Sequence, residues 1–93
     1  MAAMKLGNFT DNDIELCWTT NSKAGNQIVQ ALLNASIPFT KNSKRIPFFK
    51  RDKYNGADEI MIITINPHRY SQARRVVDTV DYMYRKRLVL SNY

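Results

Sequence analysis

From Glu59 to Ile65 the chain reads Glu-Ile-Met-Ile-Ile-Thr-Ile, apolar at odd and even positions alike, and this run constrains the fold more than any other. A strand turns alternate residues to opposite faces, so one that is apolar on both belongs inside a sheet, covered on each side. With 93 residues there is material for a single hydrophobic core. Every other element has to be arranged around this strand.

Ile14 to Thr19 alternates as a half-buried strand does, with Ile14, Leu16 and Trp18 on one side and Glu15, Cys17 and Thr19 on the other; the strand is expected over about Asp13 to Thr19. Thr20-Asn21-Ser22 then offers side-chain oxygens for the free amides of a helix first turn. Ala24, Ile28, Ala31, Leu32 and Ala35 make its apolar stripe, Gly25 weakens it near the start, and Pro38 stops it by Ser36. Ile37 to Thr40 and Arg45 to Lys50 read as short strands joined by the polar turn Lys41-Asn42-Ser43-Lys44, with Pro38 and Pro47 confining this ribbon to a sheet edge. After a loop over 52–58 and the central strand, Asn66-Pro67 starts a helix. Tyr70, Ala73, Val77, Val80 and Tyr84 continue it as one stripe to about Arg87.

Strand, helix, edge hairpin, central strand and helix form an α+β fold, a ferredoxin-like open sheet without its last strand and with both helices on one face. Residues 1–12 show no period and read as a flexible N-terminal arm before a single domain over 13–93. The sheet face without helices needs a partner, and a homodimer is one expectation.

Several chemistries lack their residues. One His and one Cys do not make a structural zinc site, and the three glycines, Gly7, Gly25 and Gly56, do not make a phosphate-cradling loop. No metal or cofactor is expected. Cys17 falls mid-strand and is assigned to packing, and His68, just after Pro67, to a solvated cap. The order of strand, Cys17-Trp18-Thr19-Thr20, helix and Ile37-Pro38-Phe39 resembles a glutaredoxin, but that family's cysteine stands in the loop before the helix, and no family is assigned. Asp78 after Arg74 and Asp81 before Arg85 have the spacing of helix-surface ion pairs. Lacking an internal disulfide, a basic and apolar leader or a long apolar run, the chain reads as a cytoplasmic protein.

Charge remains. The formal net charge is +6, and it is uneven: Lys41, Lys44, Arg45, Lys50, Arg51 and Lys53 face only Asp52 within 41–53, a local +5. If Ile46 and Phe48 pack inward, strand alternation leaves Phe49 exposed between Arg45 and Arg51. Cations for phosphates and a ring for base stacking are what nucleic-acid surfaces combine. Lys41, Lys44, Arg45, Phe49, Lys50, Arg51, Lys53 and Tyr54, joined by Arg74 and Arg75 on the second helix, are the expected binding residues of a non-enzymatic domain of low sequence specificity. Arg85 and Lys86 also fall away from that helix's apolar stripe. The alternative is an adaptor or inhibitor docking on an acidic protein surface, of the kind mobile elements or phages carry, because cationic edges also deter aggregation and attract acidic partners. A ribonuclease built on His68, Arg69 and Tyr70 ranks below both.

Overall fold

The structure is a computed structural model that describes residues 3–5, 13–54 and 56–91. The apolar run forms a strand, β4 (Glu59–Ile65), antiparallel to β2 (Ile14–Thr19) on one side and to β3 (Phe39–Arg45) on the other. Two short strands complete the sheet: β1 (Ala3–Lys5) pairs with β3 and β5 (Val89–Leu90) with β2, so the order is β1-β3-β4-β2-β5. Helix α1 (Ser22–Asn34) follows β2, and α2 (Tyr70–Asp78) and α3 (Tyr82–Arg85) lie between β4 and β5. This is one small α+β domain, and among the described residues no helix is long and apolar enough to cross a membrane.

The core sits between the helices and one sheet face. Met61, Ile63 and Ile65 of β4 meet Ile28 and Leu32 of α1 and Ala73 and Val77 of α2, all of them buried. Ile60, Ile62 and Thr64 point the other way and are half-buried. Gly25, which costs α1 helical propensity, belongs to this packing: a Cβ there would run into Met61 Sδ and lie 3.3 Å from Thr19 Cγ2.

Strand β2 departs from the simple alternation expected of it. A bulge between Glu15 and Cys17 shifts the register, so that Leu16 and Cys17 are both fully buried. Beyond the bulge Cys17 pairs with Ile63 and Thr19 with Met61 on the helix side, while Trp18 pairs with Ile62 on the opposite face. Simple alternation keeps Trp18 on the side of Ile14 and Leu16; the extra residue turns it to the face opposite Cys17 and Thr19.

The expected edge hairpin is replaced by a longer one. Lys41-Asn42-Ser43-Lys44 is not a turn: it lies inside β3, paired in order with Ile63, Ile62, Met61 and Ile60. The backbone groups of a buried strand have to be satisfied along its length, and that ladder outweighs the turn preference of four polar residues. Nor does Arg45 to Lys50 continue as a strand. Pro47 has no N–H for a ladder, and its carbonyl accepts from Lys50 N at 2.9 Å to begin a 3-10 helix over Phe48–Tyr54. β3 is not an edge either, since β1 lies beside it. That strand falls within the arm expected over 1–12, whose other residues lie outside those described.

The long second helix is broken into a 3-10 turn (Pro67–Arg69), α2 and α3. Asp81 accepts from Met83 N at 3.0 Å and recaps the chain, and Arg85 Nε donates to the Val80 carbonyl at 2.9 Å. Asp81 and Arg85 therefore serve the break rather than the helix-surface ion pair expected of them. The break redirects the chain to β5, the last strand that the sequence pattern did not reveal. Two residues are too few to show a period.

Candidate nucleic-acid interface

The bulge in β2 sets up the most distinctive surface. Trp18, turned outward, meets Tyr54 at the end of the 3-10 helix with ring centroids 5.9 Å apart and planes at 76°, an edge-to-face contact. Such a contact sets the edge of one ring against the face of the other, and both rings are half-buried. Beside the pair opens a cleft of about 520 Å³, walled by the β2–α1 loop, the approach to β4 and the α3–β5 loop. Lys53, Lys86 and Arg87 line it with Val89, and no carboxylate is among its described lining residues. All three cations are exposed.

A single hydroxyl holds two of these walls together. Thr19, only 1% exposed, donates from Oγ1 to the Arg87 carbonyl at 2.7 Å and accepts from Asn21 N–H at 3.0 Å. The loop that starts α1 and the loop that follows α3 are thereby fixed to one point on β2. Asn21 in turn caps α1, accepting from Ala24 N at 2.9 Å.

A second basic and aromatic surface precedes Tyr54. Phe48 and Phe49 are 83% and 79% exposed, so Phe48 does not pack on the core as strand alternation implied, whereas Ile46 does turn in at 3%. Lys50 Nζ lies 5.9 Å from the Phe49 ring centroid, and the Arg51 guanidinium 5.6 Å from that of Phe48. Arg51 Nε also donates to the Ile46 carbonyl at 3.3 Å. Phe49 is thus exposed, but its cationic neighbour is Lys50, on a helix, rather than Arg45 and Arg51 on a strand.

The other expected binding residues do not gather at one place. By strand register Lys41 and Arg45 share the side of Ile63, while Lys44 shares the opposite side with Ile60. Arg75 is exposed on α2. Arg74 is half-buried and part of a clasp: its Nη1 donates to Tyr70 Oη at 2.9 Å and to the Ser91 carbonyl at 3.1 Å, tying the residue after β5 to α2. Lys53 and Tyr54 reach the cleft, and Trp18, Arg87 and Val89 join them there unforeseen. A bulge hid Trp18, a helix break hid Arg87, and only the local run of cations Arg85-Lys86-Arg87 was a signal.

The groups considered for catalysis lie apart. Cys17 is fully buried, and its thiol is pushed up to about 12, first by burial and then by Glu15, with Arg74 opposing. A thiolate is disfavoured there. His68 is exposed, whereas Tyr70 is buried with its hydroxyl 2.8 Å from Ser91 Oγ, so the two do not share a surface. Among the described residues no group of three His, Cys, Asp or Glu is placed to hold a metal ion. Compared with protein-family models, with curated proteins and with solved structures, the chain matches none.

Proposed function

We propose that the protein is a non-enzymatic, ferredoxin-like domain that binds single-stranded nucleic acid through its backbone phosphates and by base stacking, with little sequence preference. The β2-α1-β3-β4-α2-β5 order, with β3-β4-β2-β5 adjacent in the sheet, supports the fold reading. One observation carries the functional reading: along Phe48–Tyr54 two exposed rings, Phe48 and Phe49, are followed by the exposed cations Lys50 and Lys53 and the half-buried Arg51, and this segment ends on the Trp18–Tyr54 pair. Cations neutralise phosphates without reading sequence, and rings stack on any base.

Titration with labelled single-stranded and duplex oligonucleotides at several salt concentrations tests it. Binding is expected to favour single strands and to weaken with salt, each of Lys44→Ala, Lys50→Ala and Lys53→Ala lowering the log–log slope by about 0.7. Phe49→Ala is expected to lower affinity by about 1–3 kcal/mol and leave that slope nearly unchanged. Absence of binding even at low salt overturns the reading. The exposure of Phe48 and Phe49 favours one second reading, docking on an acidic protein surface. It takes over if all four variants leave oligonucleotide binding untouched but abolish capture of a protein partner.

A further inference from the structure

We infer that the cleft beside Trp18 is a subsite for one nucleoside monophosphate unit, its base on the Trp18–Tyr54 pair and its phosphate among Lys53, Lys86 and Arg87. This rests on the nucleic-acid reading and narrows it to a place that the basic run over 41–53 did not indicate. Two ligand chemistries are required together. The edge-to-face rings supply an apolar, sequence-tolerant surface for a flat heterocycle. The three exposed cations supply the charge for an anion, with no carboxylate among the described lining residues to oppose it. A cleft of about 520 Å³ has the dimensions of a small-ligand site and is open at the surface, so a unit within a strand enters as a free one does.

The walls are also held in advance. Thr19 fixes the Arg87 backbone and the start of α1 at 2.7 and 3.0 Å, so the loop bearing Lys86 and Arg87 need not be ordered by the ligand. Val89, opposite Trp18 in the ladder and 46% exposed, extends the apolar floor. A phosphate without a base leaves the rings unused, and a nucleoside without phosphate leaves the cations unpaired.

Trp18 is the only tryptophan of the chain, so its fluorescence reports on the cleft alone. The experiment titrates the full chain with uridine 5′-monophosphate, uridine, inorganic phosphate and an oligouridine. Saturable quenching is expected from the monophosphate and, more tightly, from the oligomer; uridine and phosphate should each bind about tenfold more weakly than the monophosphate. Lys86→Gln and Arg87→Gln, both at exposed side chains, should each weaken the monophosphate several-fold with unchanged thermal unfolding. Trp18→Phe, read by filter binding, should keep a ring and most of the oligomer affinity, and Trp18→Ala should lose about tenfold. Oligomer binding with unchanged Trp18 emission and unaffected Lys86 and Arg87 variants overturns the subsite and leaves the nucleic-acid reading standing. Equal response to phosphate and monophosphate overturns the base half of the site. No binding of any oligomer overturns both.

Discussion

The two faces of β4 are built from nearly the same residues and have different fates. Met61, Ile63 and Ile65 are 7%, 1% and 0% exposed beneath the helices, whereas Ile60, Ile62 and Thr64 remain half-buried on a face where Trp18 and Tyr54 meet. The first face closes with apolar side chains packed against one another out of water. On the second, aromatic rings stand next to cations that stay in water. Apolar residues on both sides of a strand thus need not mean two cores: one side can be a core and the other a half-buried face beside an open cleft.

Substitutions should separate the two. Ile63→Ala is expected to destabilise by about 2–5 kcal/mol in urea unfolding, through lost transfer energy and a cavity, and to leave the oligonucleotide affinity of the folded fraction unchanged. Ile62→Ala should cost less than half as much, and equal losses at the two positions would mean that both faces are core. Thr19→Val lies on the boundary: it leaves the Arg87 carbonyl and the Asn21 amide without their partner, so about 1–3 kcal/mol is expected, together with weaker binding as the cleft walls loosen. Destabilisation without any change in binding would detach the cleft from function.

Cys17 gives the core face a signature in pH. Its thiol is raised from 9.0 to about 12 in the folded protein, chiefly by burial, so as pH rises above 9.0 the unfolded chain releases a proton that the folded one keeps. Stability conferred by this site is present below that value and falls on the alkaline side, by at most about 1.4 kcal/mol per pH unit. Urea unfolding of wild type and Cys17→Ala should therefore converge between about pH 8 and about pH 10, and parallel curves would place the thiol in water. The smallest effect is expected at the end of α1. Ser36 has φ 56°, and the bonds from Ser36 N to the Leu33 carbonyl and from Ile37 N to the Leu32 carbonyl form a Schellman end. Ser36→Gly should raise stability by about 0.5–1 kcal/mol, and a loss would show that this conformation carries no strain.

What was legible followed from elements that satisfy themselves locally. The β4 run, the Asn21 cap, the α1 stripe and the Asn66-Pro67 start all rest on residues close in sequence, and they stand where the pattern put them. The misreadings came from demands set at a distance. Lys41-Asn42-Ser43-Lys44 has turn composition, but β4 required a partner of its own length. Tyr70 to Tyr84 keeps a helical period, but the chain has to leave α2 to reach β5. The candidate site suffered most, because Trp18 turns outward toward Tyr54 only through the bulge, and Arg87 lines the same cleft only because the helix breaks before β5. The composition of the basic segment was readable; its geometry depended on Pro47, which made Phe48–Tyr54 a 3-10 helix instead of a strand.

An amide-resolved NMR titration with oligouridine tests most directly whether one side of the sheet is core and the other binds. Shifts are expected to concentrate at Trp18, Lys53, Tyr54, Ala57, Lys86 and Val89, with Ile28, Leu32, Ile63 and Val77 nearly unmoved. Shifts confined to the outer faces of the helices, at Gln27, Gln30 and Arg75, or spread evenly over the core, would contradict that division.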